Sequence, residues 1–574
     1  MDVIFVHSPS FFDFRNQILV TGALTDGIPN SAIYEMYPMG FFSMASALQQ
    51  AGFRVRILNL ALKMLKHSSI NVERYIKSLD ANIFAFDLHW MIHALGAIEI
   101  SRLFKRVHPN STIMFGGFTS SYFALELMQK YPHIDMVLRG DTVEPLLPNL
   151  VQNVNNPVAL QSVPNLVWRN KGKIVENPFS FVPKSFDYVN SEFFFTLAKM
   201  ILQSGDFDPN GFLPSAFYSK KPVLPVLFSK GCTHNCINCG GSQYAMKKVC
   251  NRERIALKPP AVLVSEILDL SSSFNLPIRL IGDLQIASTS YKTKVFDLLK
   301  RHLSGKVKNY FHFEFFKPPS GEYLHQLGEI FEDFFLELSP ETGNDIVRRK
   351  QGRPFTNTQI LQSSKDALEM GHSPLIYWFQ TGNGFETLET LKETQHLCGQ
   401  LLKLNPTGVF PFISPLNPYI DPGSIAFEHP EENGYHLLYP DLETQIEGFK
   451  KPIWKYYLNY ETQNFSRDDL VRMSYDQAIQ LNDLRTKYGA LDSAECENLN
   501  RVLRLAYRVL SFLDKDTPVT SQSLPKIRHY LMEGGQVQLK KKQTRVTLEG
   551  GENLLSLLHS GITLLSYKIK KWSK

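Results

Sequence analysis

Short apolar runs alternate with helical stretches in two separate blocks of this chain, and that alternation restricts the fold more than any other feature. In the first block, Val3–His7, Arg54–Leu58, Ile83–Asp87, Thr112–Phe115 and Met136–Leu138 read as strands, with helical stretches Gly40–Ala51, Ala94–Val107 and Ser121–Tyr131 between them. In the second, the strand candidates are Val223–Phe228, Pro277–Ile281, Tyr310–Phe315, Phe334–Leu338, Leu375–Gln380 and Gly408–Phe412. Helical candidates fall between these as well, including Pro260–Ser272, Ser290–Leu303, Thr356–Met370 and Thr387–Leu402. Strands joined by helix-length connections pair in parallel, so each block predicts βαβ units on a parallel sheet. The fold class expected is α/β: a doubly wound sheet, then a partial barrel of six β/α units. Ligands of such sheets and barrels bind beyond the carboxyl ends of the strands, which makes the loops after Val6, Asp87 and Phe115 and the barrel strand ends the places to look.

This pattern divides the chain at about 150, 222 and 420. Residues 1–150 form the first α/β domain. Residues 151–222, with scattered prolines at Pro157, Pro164, Pro178, Pro183, Pro209 and Pro214, read as a connecting segment with helix near Ser191–Gln203. Residues 223–420 form the barrel. Residues 421–574 read as mostly helical, over Glu443–Tyr460 with a break at Pro452, Arg467–Tyr488 and Glu495–Leu513. Gln536–Leu539 and Arg545–Leu548 suggest a hairpin, and Asn553–Lys571 an amphipathic helix that packs on the body or lies on a membrane surface.

Cys232, Cys236 and Cys239 follow the first barrel strand as Cys-Thr-His-Asn-Cys-Ile-Asn-Cys. Three thiolates so spaced hold three irons of a 4Fe–4S cluster and leave the fourth iron open, an arrangement suited to chemistry rather than plain electron transfer. The competing reading is structural zinc, with Cys250 as fourth ligand. Zinc ribbons, however, show paired short spacings, and a barrel loop is an unusual setting for one. Cys398 reads as a buried thiol and Cys496 as structural.

Six cysteines in 574 residues make no disulfide scaffold and fit a reducing, cytoplasmic setting. Met1-Asp2-Val3-Ile4-Phe5-Val6 reads as a strand rather than a signal peptide, and no run reaches the length of a membrane span. The net charge of +6 is local. Residues 540–574 carry eight Lys or Arg against two Asp or Glu, so the body is neutral overall and a nucleic-acid footprint is unsupported.

With these residues in view, the chain resembles the cobalamin-binding class of the radical S-adenosylmethionine (SAM) superfamily over residues 1 to about 420. The resemblance implies a 4Fe–4S cluster on Cys232, Cys236 and Cys239, with SAM completing the open iron and cleaved there to a 5′-deoxyadenosyl radical. It implies SAM contacts at Gly282 and Asp283, in Ile281-Gly282-Asp283, where the family has Gly-Gly-Glu gripping the methionyl amine. Glu337 and Ser339, in Leu336-Glu337-Leu338-Ser339, match an acidic ribose-contact segment. Gln380 and Gly382, in Gln380-Thr381-Gly382-Asn383-Gly384-Phe385-Glu386-Thr387, match a Gly-x-Pro-Gly-Glu-Thr segment beside the adenine. Asn238 stands where an aromatic is common, Asp283 is one carbon shorter than the usual Glu, and Asn383 replaces a Pro.

The front block resembles the Rossmann-like cobalamin-binding module. Tyr37-Pro38-Met39-Gly40-Phe41-Phe42-Ser43-Met44-Ala45 is similar to its Pro-Pro-x-Gly-Leu helix entry, Phe115-Gly116-Gly117-Phe118-Thr119 to its Gly-Gly turn, and Arg139-Gly140-Asp141-Thr142-Val143-Glu144 to its Gly-Glu-x-Glu segment. The cobalamin contacts implied are Ser8, Asp87, His89, Gly116, Gly117, Thr119 and Gly140. The loop after the first strand, His7-Ser8-Pro9-Ser10-Phe11, lacks the D-x-H-x-x-G pattern that supplies a cobalt ligand; Asp87-Leu88-His89 echoes part of it, so His89 either ligates cobalt or packs. The activity implied is methyl transfer to an unactivated carbon or a phosphinate phosphorus, with cyclisation, ring contraction or oxygen insertion as the alternative. A methylthiotransferase is disfavoured because no cysteine precedes Cys232. A metal-stabilised binding or sensor protein is the alternative of another class. The partners implied are a small-molecule substrate and an electron donor such as flavodoxin or ferredoxin. No residue is singled out as catalytic, although His312 and Glu314 alternate with Phe311, Phe313 and Phe315; if that face points inward they either meet substrate or adenosyl groups or are satisfied polar groups of the barrel core. For Cys496, the resemblance adds a part in radical chemistry as the alternative to its structural reading.

Overall fold

The computed structural model describes residues 1–16, 34–187, 193–205, 223–273, 275–303, 305–415 and 419–514. The hairpin and helix expected beyond residue 535 lie outside them. Five parallel strands open the chain: β1 (Val3–His7), β2 (Val55–Asn59), β3 (Ile83–Asp87), β4 (Thr112–Gly116) and β5 (Met136–Leu138). Two more, β6 (Leu166–Asn170) and β7 (Lys173–Glu176), extend the sheet antiparallel at the β5 edge. The order is β2-β1-β3-β4-β5-β6-β7. In this doubly wound order the chain reverses direction between β1 and β3, and the crevice beyond their carboxyl ends is the expected ligand site. The strands are near-continuous apolar runs because helices cover both faces; Val3, Ile4, Val6, Ile83, Phe84 and Phe86 are all buried.

The first sheet therefore runs past residue 150, the boundary set from sequence. β6 and β7 are joined by Lys171-Gly172, both with positive φ (47° and 82°), the backbone of a tight two-residue hairpin turn. The helix expected near residue 191 spans Phe193–Ser204. The stretch Ser121–Tyr131, expected as one helix, is split at Phe123 into Phe118–Tyr122 and Ala124–Lys130.

The second sheet has six parallel strands in sequential order: β8 (Leu224–Leu227), β9 (Ile278–Ile281), β10 (Phe311–Phe315), β11 (Phe334–Glu341), β12 (Leu375–Thr381) and β13 (Val409–Pro415). This is the expected partial barrel, with β8 and β13 at its edges. Phe311, Phe313 and Phe315 pack into the core formed with the outer helices. The alternate residues, His312 and Glu314, therefore point into the barrel, as do Arg279, Glu337 and Trp378 on neighbouring strands.

The C-terminal region is less helical than its sequence suggests. Helix Leu442–Phe449 ends before Pro452, and the chain continues through a short turn of helix, Trp454–Tyr457, into the strand Tyr460–Thr462, which pairs with Tyr435–Leu437. Two long helices follow, Arg467–Lys487 and Ser493–Leu513. The first lies along β13, where the Arg485 guanidinium donates to the Pro411 carbonyl at 2.8 Å. Leu442, Ile446, Phe449 and Trp454 join the core of the front domain, so this region fastens the two sheets to each other. Among the described residues no helix is long and apolar enough to cross a membrane.

Candidate active site between two cofactor cradles

The cysteine loop leaves β8 and is folded against two later segments, around Gln351 and around Asp421. Its own turns are closed by Cys239 N–H donating to the Cys236 carbonyl (3.2 Å) and Ser242 N–H to that of Cys239 (3.2 Å). Ser242 then caps the helix Gln243–Cys250. Outside the loop, Ile237 N–H donates to the Gln351 carbonyl (3.2 Å), Asn238 Nδ2 to Gln351 Oε1 (2.9 Å) and Gly240 N–H to Asp421 Oδ2 (2.9 Å). Gly352, with φ +81°, lies against Asn235 and Cys236; a Cβ there would fall on the Asn235 carbonyl oxygen. In the amino-acid sequence this contact shows only as a glycine just past a helix end.

Backbone N–H groups of His234 and Gly241 point at Cys232 Sγ (3.4 Å) and Cys239 Sγ (3.3 Å). Desolvation raises the pKa of Cys232 and Cys236, and a bound cationic centre would favour their thiolates. Arg353, paired with Glu341 at 2.6 Å, already places a positive charge beside them and lowers Cys236 in part. Among the described residues no three His, Cys, Asp or Glu side chains converge as for a single metal ion. Cys250, the fourth ligand of the zinc reading, is instead buried with Met246 and Val249 against Phe118 and Tyr122. Three closely spaced thiols on one loop fit a cluster, which spreads its ligands over several irons.

The expected SAM positions gather at the ends of β9, β11 and β12. Gly282 has φ +94° and packs against Phe228. Asp283 differs from expectation: its buried carboxylate accepts from the backbone N–H of Gln285 and Phe316, both at 2.8 Å, and so braces the ends of β9 and β10. Desolvation lifts its pKa to about 6, and both carboxylate oxygens are already engaged, Oδ1 by Gln285 N–H and Oδ2 by Phe316 N–H and Gln285 Nε2. Glu337 accepts from Trp378 Nε1 (2.7 Å) and Arg279 (3.1 Å), and Arg279 also reaches Glu314 at 3.7 Å. Ser339 sits in β11 where the pairing with β12 shifts register. Gln380 Oε1, Asn383 Oδ1 and Asn238 Oδ1 are buried without a partner, and all three belong to segments assigned to cofactor contact. Buried polar atoms are nearly always paired, so these orphans suit a polar ligand such as SAM. Glu386, the acid of the segment matched to Gly-x-Pro-Gly-Glu-Thr, is fully buried; it accepts from Gly382 N–H at 2.8 Å and is pushed up to about 7 by desolvation.

The front cradle lies at the β1/β3 crevice. His7 and Asp87, at the ends of the two strands, form a buried pair at 3.0 Å, and His7 Nε2 meets the Tyr34 carbonyl at 2.9 Å. Asp87 is thus engaged within the domain rather than free for a ligand, and the sequence reading missed His7 as its partner. Thr119 is likewise turned inward: its hydroxyl donates to the His89 carbonyl at 3.0 Å. Gly117, with φ +114°, lies so close to His89 that a Cβ would sit 2.7 Å from His89 Cα. The half-buried His89 ring rests 4.5 Å from Phe118 and 4.9 Å from Trp90, and desolvation lowers its pKa to about 4, keeping it neutral. Ser8 Oγ and Ser10 Oγ are buried without a partner. Gly116 has no atom nearer than 3.6 Å to a built Cβ. Ser43 donates to Glu144 at 2.7 Å, joining the helix-entry and Gly-Glu-x-Glu segments. A backbone cradle open at Gly116 and carrying orphaned hydroxyls fits the polar periphery of a corrin.

The two cradles face each other. Phe118 and Tyr122, directly after Gly117, pack on Met246 and Val249 of the helix directly after the cysteine loop. Tyr122 also donates to Glu428 at 2.5 Å, and Lys248 pairs with the same carboxylate at 2.8 Å. Lys230, two residues before Cys232, lies near enough to depress His89.

A front domain of this kind placed against a six-stranded barrel is the fold of the cobalamin-dependent radical SAM enzymes. Residues 28–147 match the family model of the B12 binding domain. The structure is similar to the radical S-adenosylmethionine methyltransferase TsrM from Kitasatospora setae with cobalamin and a 4Fe–4S cluster bound: TM-score 0.56, 12% identity, 94% of this chain and 99% of that one. It is similar too to the cobalamin-dependent S-adenosylmethionine radical enzyme OxsB with aqua-cobalamin and S-adenosylmethionine bound: TM-score 0.55, 14% identity, 98% of this chain and 83% of that one. In sequence, an anaerobic magnesium-protoporphyrin IX monomethyl ester cyclase from Synechocystis sp. (strain ATCC 27184 / PCC 6803 / Kazusa) is 25% identical over 216 residues. That match takes in 36% of this chain and 38% of the cyclase, so the chain spans well under half the length of the curated relative.

Proposed function

We propose that this chain is a cobalamin-dependent radical SAM enzyme and that it transfers a methyl group to an unactivated carbon or a phosphinate phosphorus of a small molecule. The observation that carries the reading is the contact of the two cradles, in which the helix after Gly116-Gly117 packs on the helix after Cys239. When bound, the cluster and SAM supply a carbon-centred radical and the corrin supplies a one-carbon carrier.

The chain's own residues bind, orient and exclude water. Cys232, Cys236 and Cys239 hold three irons, with Arg353 balancing their charge. Backbone groups at Gly282 and Gly382 and the side-chain oxygens of Gln380 and Asn383 hold SAM. Gly116, Gly117, Gly140, Ser8 and Ser10 line the corrin side, and His89 presents a neutral imidazole to it. In the barrel interior, His312 is buried with Nε2 unpartnered, and desolvation lowers its pKa to about 3, so it is a hydrogen-bonding group that stays uncharged. A one-electron donor of flavodoxin or ferredoxin type and a cytoplasmic setting complete the proposal.

Similarity to a cyclase favours a second reading, in which the same two cradles serve a reaction without methyl transfer. Counting products separates the two. Methylation releases S-adenosylhomocysteine alongside 5′-deoxyadenosine, whereas 5′-deoxyadenosine without S-adenosylhomocysteine in the presence of the true substrate supports the cyclase-like reading. Comparative mass spectrometry of extracts from producing and deleted cells supplies that substrate, as a metabolite differing by one methyl group.

A further inference from the structure

We propose that the ion pair between Arg252 and Asp141 is a positioning device that holds the corrin cradle in register with the cysteine loop; the inference rests on the function proposed above. Arg252 follows the helix Gln243–Cys250, and Asp141 follows β5. The guanidinium grips the carboxylate with both arms, Nε to Oδ2 at 2.6 Å and Nη2 to Oδ1 at 2.9 Å. Nη2 also donates to Thr142 Oγ1 (3.2 Å), and Nη1 to the Pro183 carbonyl (2.8 Å). The two side chains are only 2% and 4% exposed.

What gives the pair its meaning is its neighbours. Asp141 is bonded to Gly140, whose N–H donates at 3.0 Å to Ser121 in the helix that begins right after Gly117. Arg252 Cδ lies 2.8 Å from where a Cβ of Gly231 would stand, and Gly231, with φ +86°, is bonded to Cys232. A short path of direct contacts and peptide bonds thus runs from the cobalamin-binding glycines to the first cluster ligand. A buried ion pair adds little net stability compared with apolar packing of the same volume. A two-armed guanidinium–carboxylate contact does fix direction as well as distance. Among the described residues this boundary is also crossed by apolar rings, the Tyr122–Glu428 hydrogen bond, an Asn251 Nδ2 bond to the Phe179 carbonyl at 3.1 Å and the partly exposed Lys248–Glu428 pair; the Arg252–Asp141 contact is the two-armed, nearly fully buried one of these. Radical capture tolerates little displacement: moving reacting groups by about 1 Å costs on the order of 10²-fold in rate.

Two variants test the role. Arg252→Lys keeps the charge and loses the fork. Arg252→Met combined with Asp141→Leu removes both charges, so that no lone buried ion unfolds the protein. In the full-length chain as purified, amide hydrogen exchange of 139–142 and 229–233 is expected to rise about tenfold or more in both variants, with Val3–His7 unchanged. In reconstituted protein, pulsed electron paramagnetic resonance between the reduced cluster and cob(II)alamin is expected to show one narrow separation in the wild type and a broadened one in both variants at equal cofactor content. Wild-type exchange and an unbroadened separation in both variants overturn the proposal, as does a rise that extends equally to Val3–His7. The exchange arm needs no cofactor and so decides the role of the pair by itself. A wild-type chain that develops neither spin signal contradicts the proposed function instead.

Discussion

At the residue scale, charge and burial decide which side chains face a ligand. The three thiols have nearby N–H donors and the Arg353 cation, but burial opposes their ionisation, so binding of the cluster and deprotonation are coupled. Cys236→Ala is expected to lose the iron–sulfur absorbance and to lower reductive SAM cleavage by about 10³-fold or more, because two thiolates leave the cluster short of a ligand; retained cleavage would remove the site assignment. Glu386 gives a pH signature. Its folded pKa of about 7 lies above the ordinary 4.5. Below the ordinary value the carboxyl is neutral in both states. As pH rises through the window up to the folded value, the unfolded chain ionises first and folding loses up to about 3 kcal/mol. Urea unfolding from pH 4.5 to 7.5 is expected to show that decline in the wild type and a flatter profile in Glu386→Gln. Cysteine type and spacing were legible in the sequence because the ligands are local. Asp283, read as a ligand acid, instead braces two strand ends, and Asp141 with Arg252 could not be read because partners 111 positions apart leave no local pattern.

At the element scale, the parallel strands were legible because burial on both faces makes them apolar runs bounded by helices. All six barrel strands fall where the alternation placed them, with β11 running on to Glu341 through a register shift that hydrophobicity does not encode. The β6–β7 hairpin was hidden because its turn is Lys171-Gly172 rather than a strong turn pair such as Asn-Gly, and β7 is only half-buried. The Tyr435–Leu437 and Tyr460–Thr462 strands were read over because each is only three residues long. One glycine matters for an element as a whole: Gly352 lets the end of the helix Asp345–Lys350 meet the cysteine loop. Gly352→Ala combines a left-handed φ with a collision on Asn235. It is expected to cost about 1–3 kcal/mol locally and to lower iron content after reconstitution, with the fold retained by circular dichroism.

At the scale of the molecule, the C-terminal region closes the structure. It reaches the Gly382–Glu386 loop, where Tyr460 and Leu470 lie against Gly382 and Tyr435 against Gly384. Its larger contribution is to fasten the front domain to the last barrel strand, so that the two cradles share one frame. Facing cradles are the physical reason for reading a two-cofactor enzyme rather than a barrel with an appended binding module. The most direct measurement is anaerobic reconstitution with iron, sulfide and cobalamin, followed by SAM and a one-electron reductant. The result expected is 4Fe–4S absorbance, one cobalamin per chain and reductive cleavage of SAM to 5′-deoxyadenosine. A folded chain that binds cobalamin but never forms the cluster or cleaves SAM would contradict it.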